Sequence, residues 1–102
     1  MTPRARIRLV KRTVVYEGHV IRLLRETLDI NGRRVIRDTV QHPGAVVIVP
    51  ILSRSRIVFV RQYRRAIDRE LLELPAGTLS PGERRRACAQ RELEEETGWR
   101  AR

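Results

Sequence analysis

One stretch of this 102-residue chain carries both a start and a stop signal for a helix, and the rest must be arranged around it. Ser80-Pro81-Gly82-Glu83 offers Ser at the N-cap, Pro at N1 and Glu at N3, the pattern of a capping box. Gly98 supplies the left-handed residue on which a helix ends. A helix over residues 81–97 is predicted, its ends good to a residue or two. At about 100° per residue, Glu92, Glu95 and Glu96 fall within an arc of about 100°, while Glu94 points away. Three carboxylates in i, i+3 and i+4 relation repel one another. They also crowd the negative end of the helix dipole, and Arg84, Arg85 and Arg86 sit near its positive end. A stretch that breaks the charge rule at both ends serves something other than helix stability. The simplest compensation is a hard divalent cation, Mg2+ or Mn2+.

The remainder of the chain reads mainly as strands. Thr13-Val14-Val15-Tyr16 is a short strand that follows a basic segment, residues 1–12, whose first few residues are expected to fray. Val20 to Ile30 resumes after Gly18, and Asn31-Gly32 signals a type I′ hairpin into a strand at residues 34–41. Residues 1–42 thus form a β-meander, too small to be stable alone. It should lean on the rest of the chain or on a partner chain. His42-Pro43-Gly44 is a joint. Ala45 to Leu52 is a continuous apolar run, as in a strand covered on both faces. After a polar turn at Ser53-Arg54-Ser55-Arg56, residues 57–64 return antiparallel to it, and Glu70 to Leu74 lead to Pro75-Ala76-Gly77. Strands, a loop and a capped helix predict an α/β layer arrangement.

Composition narrows the function classes. No apolar run reaches membrane-spanning length, and MTPRARIRLVKR lacks the apolar segment of a signal peptide, so a cytoplasmic protein is expected. Cys88 is the single cysteine and reads as a packing residue. The net charge of +10 invites a nucleic-acid reading. Against it, Lys11 is the only lysine among 22 basic residues, the arginines are scattered, and aromatic residues for stacking on bases are few. A positive field that draws in a small polyanion fits better than dedicated nucleic-acid binding.

From Gly77 the sequence continues with five residues, Glu83, seven residues, Arg91-Glu92-Leu93, one residue, Glu95-Glu96, one residue and Gly98-Trp99. Every specified position fits the Nudix box, here residues 77–99, and the chain resembles a Nudix hydrolase. Arg61-Gln62-Tyr63-Arg64 and Leu72-Glu73-Leu74-Pro75-Ala76-Gly77 are similar to signatures of the ADP-ribose pyrophosphatase branch. The resemblance implies a Nudix-type α/β/α sandwich. Of it, this chain would hold the N-terminal β-meander (1–42, a dimerisation element), part of the central mixed sheet, and the Nudix helix, the last two within a partial Nudix domain at 43–102. Family members continue past the box with further strands and a helix that cover the sheet.

The resemblance also implies roles. Glu92 and Glu96 would be the principal metal ligands with the carbonyl of Ala76, and Glu95 a further ligand. Arg91 would hold these carboxylates in place. Arg64, Glu73 and Arg37 would contact the substrate, Arg37 from across a dimer. Arginine suits a pyrophosphate because its planar fork makes bidentate, permanently charged contacts. Glu83, Gly77 and Gly98 would be structural supports. The implied reaction is Mg2+-dependent hydrolysis (Mn2+ as the other candidate) of a nucleoside diphosphate derivative, ADP-ribose to AMP and ribose 5-phosphate, by a homodimer. Two other accounts stand beside it: a non-catalytic fragment that binds metal, and a nucleic-acid-binding module.

Overall fold

A computed structural model describes residues 4–102, and they form nine strands and one helix, an α/β chain as expected. The expected fraying at the very start falls on residues 1–3, outside the described residues. The chain divides between His42 and Pro43 into two compact units.

The first unit is an antiparallel sheet of β1 (Ile7–Glu17), β2 (Arg22–Ile30) and β3 (Arg33–Gln41), in that spatial order. Asn31 and Gly32 take φ of 52° and 87°, the paired left-handed conformations that a type I′ turn needs. The Asp29 carboxylate accepts the Gly32 N–H at 2.8 Å, and the Asn31 side chain accepts the Arg6 N–H at 2.9 Å. From this turn β2 and β3 pair without a slip, Ile30 opposite Arg33 through to Arg22 opposite Gln41. β1 is longer than the predicted strand at 13–16. It runs back over the basic segment because that segment alternates: Ile7 and Leu9 pair with Ile30 and Leu28, while Arg8 lies on the opposite face beside Asp29 at 3.6 Å. Two register shifts, at Leu9/Lys11 and Val14/Tyr16, keep the alternation in phase. One face therefore carries the row Arg12, Glu26, Arg37 between the row Val14, Leu24, Thr39 and the row Leu9, Leu28, Val35. Leu24 and Glu26 are buried, and Ile7, Leu9 and Val14 are exposed.

The second unit holds three two-stranded antiparallel ladders and the helix. β4 (Ala45–Val47) pairs with β9 (Ala76–Thr78), β5 (Ile51–Ser53) with β6 (Arg56–Ile57), and β7 (Val60–Arg64) with β8 (Arg69–Glu73). The apolar run 45–52 is thus two short strands rather than one. Pro50, which has no N–H to give a ladder, lies in the gap. Nor is the run covered on both faces: Val47, Val49 and Ile51 are 67%, 54% and 73% exposed, while the alternate residues Val46, Ile48 and Pro50 are half-buried.

The helix, α1 (Arg85–Thr97), begins four residues later than the capping pattern predicts. Gly82 has φ 73°, which no α-helix accommodates, and with Pro81 before it forms the centre of a turn closed by the Glu83 N–H on the Ser80 carbonyl at 3.0 Å. The Glu83 carboxylate does reach back to the Ser80 N–H at 3.1 Å, so the reciprocal bond is made within that turn. Arg84 is the N-cap, without a side-chain bond. The C-terminal signal holds: Gly98 has φ 77° and its N–H reaches the Glu94 carbonyl at 2.9 Å. Cys88, Leu93 and Pro75 form the buried centre of the unit, where α1 packs on β9 and β4. Burial pushes the Cys88 thiol pKa up, which suits a packing residue rather than a nucleophile.

Candidate active site at the edge of β9 and α1

The site starts from the register of a single strand. Ile48 N–H donates to the Pro75 carbonyl at 2.8 Å and Leu79 N–H to the Gly44 carbonyl at 2.9 Å, which fixes the bonded pairs of the β4–β9 ladder. Ala76 and Thr78, opposite Val47 and Ala45, alternate with those pairs and turn their backbone polar groups away from β4. On that side Ala76 N–H donates to Glu96 Oε2 at 3.1 Å, and the Thr78 carbonyl accepts from Arg91 at 3.5 Å and from the Cys88 thiol at 3.7 Å. Between them, a Cβ on Gly77 would lie 2.0 Å from Glu92 Cδ. Only a residue without a side chain lets the Glu92 carboxylate lie against the strand. Helix and strand are thus fitted to each other through Glu92 and Glu96.

Arg91 ties the acids together. Its Nε and one terminal nitrogen grip the two oxygens of Glu83 at 2.8 and 2.9 Å. The other terminal nitrogen reaches Glu92 at 2.9 Å and Glu95 at 3.2 Å. Fork-to-carboxylate contacts of this kind are strong and fix geometry. The Arg91 fork and the Ser80 N–H hold the Glu83 pKa down to about 2, and the same acids raise that of Arg91.

A second group comes from β7 and β8. Val60, Gln62 and Arg64 pair with Glu73, Leu71 and Arg69, so all six share one face. Arg64 clamps Glu73, with Nε 2.9 Å from Oε2 and 3.1 Å from Oε1, and a terminal nitrogen adds a third bond. The pair lowers the pKa of Glu73 and raises that of Arg64, to which the Glu96 charge also contributes. Gln62 donates to Glu96 Oε1 at 3.5 Å, which joins this face to α1.

The second unit therefore brings Ala76, Gly77, Glu83, Arg91, Glu92, Glu95 and Glu96 into one network, with Arg64 and Glu73 beside it. Gly98 ends the helix just past Glu96. Arg37 stands in the first unit, on β3 opposite Glu26, with a long 3.4 Å bond to the Ile36 carbonyl. The three helix carboxylates do not meet at one point as their helical arc suggests. Among the described residues no three His, Cys, Asp or Glu side chains gather closely enough to hold a metal. The reason is competition: Arg91 draws Glu92 and Glu95, while Ala76 and Gln62 draw Glu96, which also relieves their repulsion. The donor set still suits a hard cation, with carboxylate oxygens and the outward carbonyl edge of Ala76 and no nitrogen or sulfur ligand. Gln62 was not anticipated. Its position two residues before Arg64 on a strand, and hence on the same face, is the sequence signal that marks it. No helix of the described residues is long and apolar enough to cross a membrane.

A family model for the NUDIX domain matches residues 41–102. A methanol dehydrogenase activator of Bacillus methanolicus is 41% identical over 91 residues, covering 88% of this chain and 49% of that protein. An ADP-ribose pyrophosphatase of Bacillus subtilis (strain 168) is 41% identical over 88 residues, covering 85% of this chain and 48% of that protein. Among solved structures, one described as an ADP compounds hydrolase matches with a TM-score of 0.78 and 26% identity, over 99% of this chain and 56% of that chain. The chain spans about half the length of the curated relatives it matches.

Proposed function

This chain belongs to the NUDIX family, and we propose on that basis that it serves metal-dependent hydrolysis of a nucleoside diphosphate derivative, with ADP-ribose the leading substrate. The observation that carries the reading is the seating of Glu92 and Glu96 on the Ala76–Gly77 edge, where a Cβ on Gly77 has no room. Glu92 and Glu96, with the Ala76 carbonyl and Glu95, would hold the cation. Mg2+, or Mn2+ in its place, would supply charge neutralisation for the diphosphate oxygens and acidify water. Arg91 keeps Glu92 and Glu95 in position from the far side. Arg64, already directed by Glu73, offers its fork to a phosphate oxygen. Water attacks phosphorus in line, the P–O bond of the pyrophosphate breaks, and AMP and ribose 5-phosphate are the products. Two pyrophosphatase relatives, from Bacillus subtilis and Mycobacterium tuberculosis, support the choice of substrate. A homodimer through the N-terminal sheet is part of this reading, motivated by the exposed Ile7, Leu9 and Val14 on one face, with Arg37 reaching the substrate of the partner.

The test is release of AMP from ADP-ribose with Mg2+. Replacing Glu96 by Gln should cut the rate by about 100-fold or more, the scale for removing one group that stabilises the transition state. Release that survives Glu96→Gln removes the reading. A second reading has one observation in its favour: the exposed residues Val49, Ile51 and Trp99 line one apolar hollow in the second unit, of the kind that another polypeptide covers. On that account these 102 residues bind metal but do not turn substrate over. Calorimetry with Mg2+ or Mn2+ beside the activity assay separates the two.

A further inference from the structure

Glu96 is held differently from its neighbours. Arg91, a cation, takes Glu92 and Glu95. The contacts to Glu96 come instead from two neutral donors on two different strands, Ala76 N–H to Oε2 at 3.1 Å and Gln62 Nε2 to Oε1 at 3.5 Å. Each oxygen thus has its own donor, so the carboxyl plane is fixed while its charge is not cancelled by direct pairing. Gln62 is suited to this by place as well as chemistry. It is half-buried on β7, between Val60 and Arg64 on the same face and opposite Leu71. An apolar residue there would leave Oε1 without its donor, and a lysine or arginine would neutralise the acid.

We propose that Gln62 is a positioning residue, which with the Ala76 N–H orients the Glu96 carboxylate and preserves its full charge for a divalent cation. The inference rests on the metal-dependent reading above and adds to it a residue outside the box. Partners that orient a ligand from behind are worth about 10- to 100-fold in metal affinity.

The experiment uses the whole chain with Gln62→Met, which keeps length and removes the donor, and Gln62→Lys, which keeps a donor and adds charge. Mn2+ affinity is read by electron paramagnetic resonance, and the side-chain amide signals of Gln62 are followed by NMR in metal-free wild type and Glu96→Gln. Gln62→Met should weaken Mn2+ binding by about 10-fold, the low end of that range, and Gln62→Lys by more, with thermal midpoints near that of wild type. The Gln62 amide signals should shift in Glu96→Gln. Wild-type Mn2+ affinity in Gln62→Met, equal losses in the two variants, or amide signals indifferent to Glu96→Gln would each overturn the proposal. A wild-type chain that binds no Mn2+ removes the metal-dependent reading itself, and the amide signals then decide alone whether Gln62 holds Glu96.

Discussion

The two units solve the same problem, how to order about 40 to 60 residues with little buried apolar surface, in opposite ways. The first relies on its backbone: three long strands in continuous ladders, started by a two-residue turn, with ion pairs such as Arg12–Glu26 laid across them. The second has short ladders only, and its order comes from side chains of one helix that reach backbone and acids elsewhere: Glu96 to Ala76, Arg91 to Thr78 and Glu83, Cys88 to Gly77 and Thr78. Arg12 places Nε and a terminal nitrogen on a single oxygen of Glu26. Arg91 spreads over three carboxylates. A ladder tolerates the loss of one side chain, whereas a hub does not, and the proposed site is built on the hub.

The contrast is tested most severely at the two buried leucines. Leu24 is 2% exposed and Leu93 4%, and truncating either to Ala should cost about 3 kcal/mol. In urea titrations followed by NMR, Leu93→Ala should perturb signals across residues 76–98, while Leu24→Ala should perturb mainly its own and adjacent strands. Equal spread in both would erase the distinction between ladder and hub. Next in size is Gly77→Ala. The new Cβ meets the Glu92 side chain rather than backbone, so that side chain must move aside and stability should fall modestly. Mn2+ affinity should fall by about 100-fold, at the upper end for a disturbed ligand shell. Calorimetry showing unchanged affinity would mean that Glu92 does not need the Gly77 edge.

How far the sequence showed this depends on what each residue type forces. Asn31-Gly32 and Gly98 were legible because each needs a backbone conformation that few other residues adopt, and the structure has those conformations at all three positions. The start of α1 was not, because Ser-Pro-Gly-Glu satisfies two patterns at once, a capping box and a Pro-Gly turn, and Gly82 at φ 73° decides for the turn. The length of β1 was hidden by its arginines, which look like a tail until alternate pairing with Asp29 and Glu26 is known. In the site, the box positions were marked by the resemblance that their spacing carries, and the roles came with it. The spread of the three carboxylates was not, since helical angle gives direction but not the reach of Arg91. Gln62 lies 34 positions from Glu96, and nothing local links them.

Acid should separate the units by a smaller margin. Glu83 ionises at about 2 in the fold, held down first by the Arg91 hydrogen bonds, against a usual value of 4.5. Its ionised form therefore stabilises the second unit fully above pH 4.5, and that contribution fades below 4.5 and is lost as pH falls through about 2. Glu26 is lowered as well, chiefly by hydrogen bonds from Thr39 and Arg12, so the first unit loses stability with the same sign. Glu83→Gln should flatten the acid limb of the second unit and leave that of the first, as read from urea midpoints of Trp99 fluorescence and of β1–β3 amide signals between pH 7 and 2. Flattening in both units would show that the acid response is shared rather than centred on Arg91.

The smallest effect is expected at Gly98, and it isolates the hub from the backbone that ends it. Gly98 has φ 77° with nothing within 4 Å of a would-be Cβ, so Gly98→Ala introduces left-handed strain and no clash. The cost should be about 1 kcal/mol. The helix could shed the strain by unwinding its last turn, which carries Glu94, Glu95 and Glu96. Because Glu96 is anchored to Ala76 and Glu95 to Arg91, that turn should stay wound and Mn2+ affinity should change less than twofold. A stability loss near 1 kcal/mol with intact affinity would mean that side-chain anchors, not the cap, hold the acids in place. Loss of affinity beyond tenfold would reverse that order, making the glycine part of the site and the helix end as dependent on its backbone as the N-terminal sheet is on its ladders.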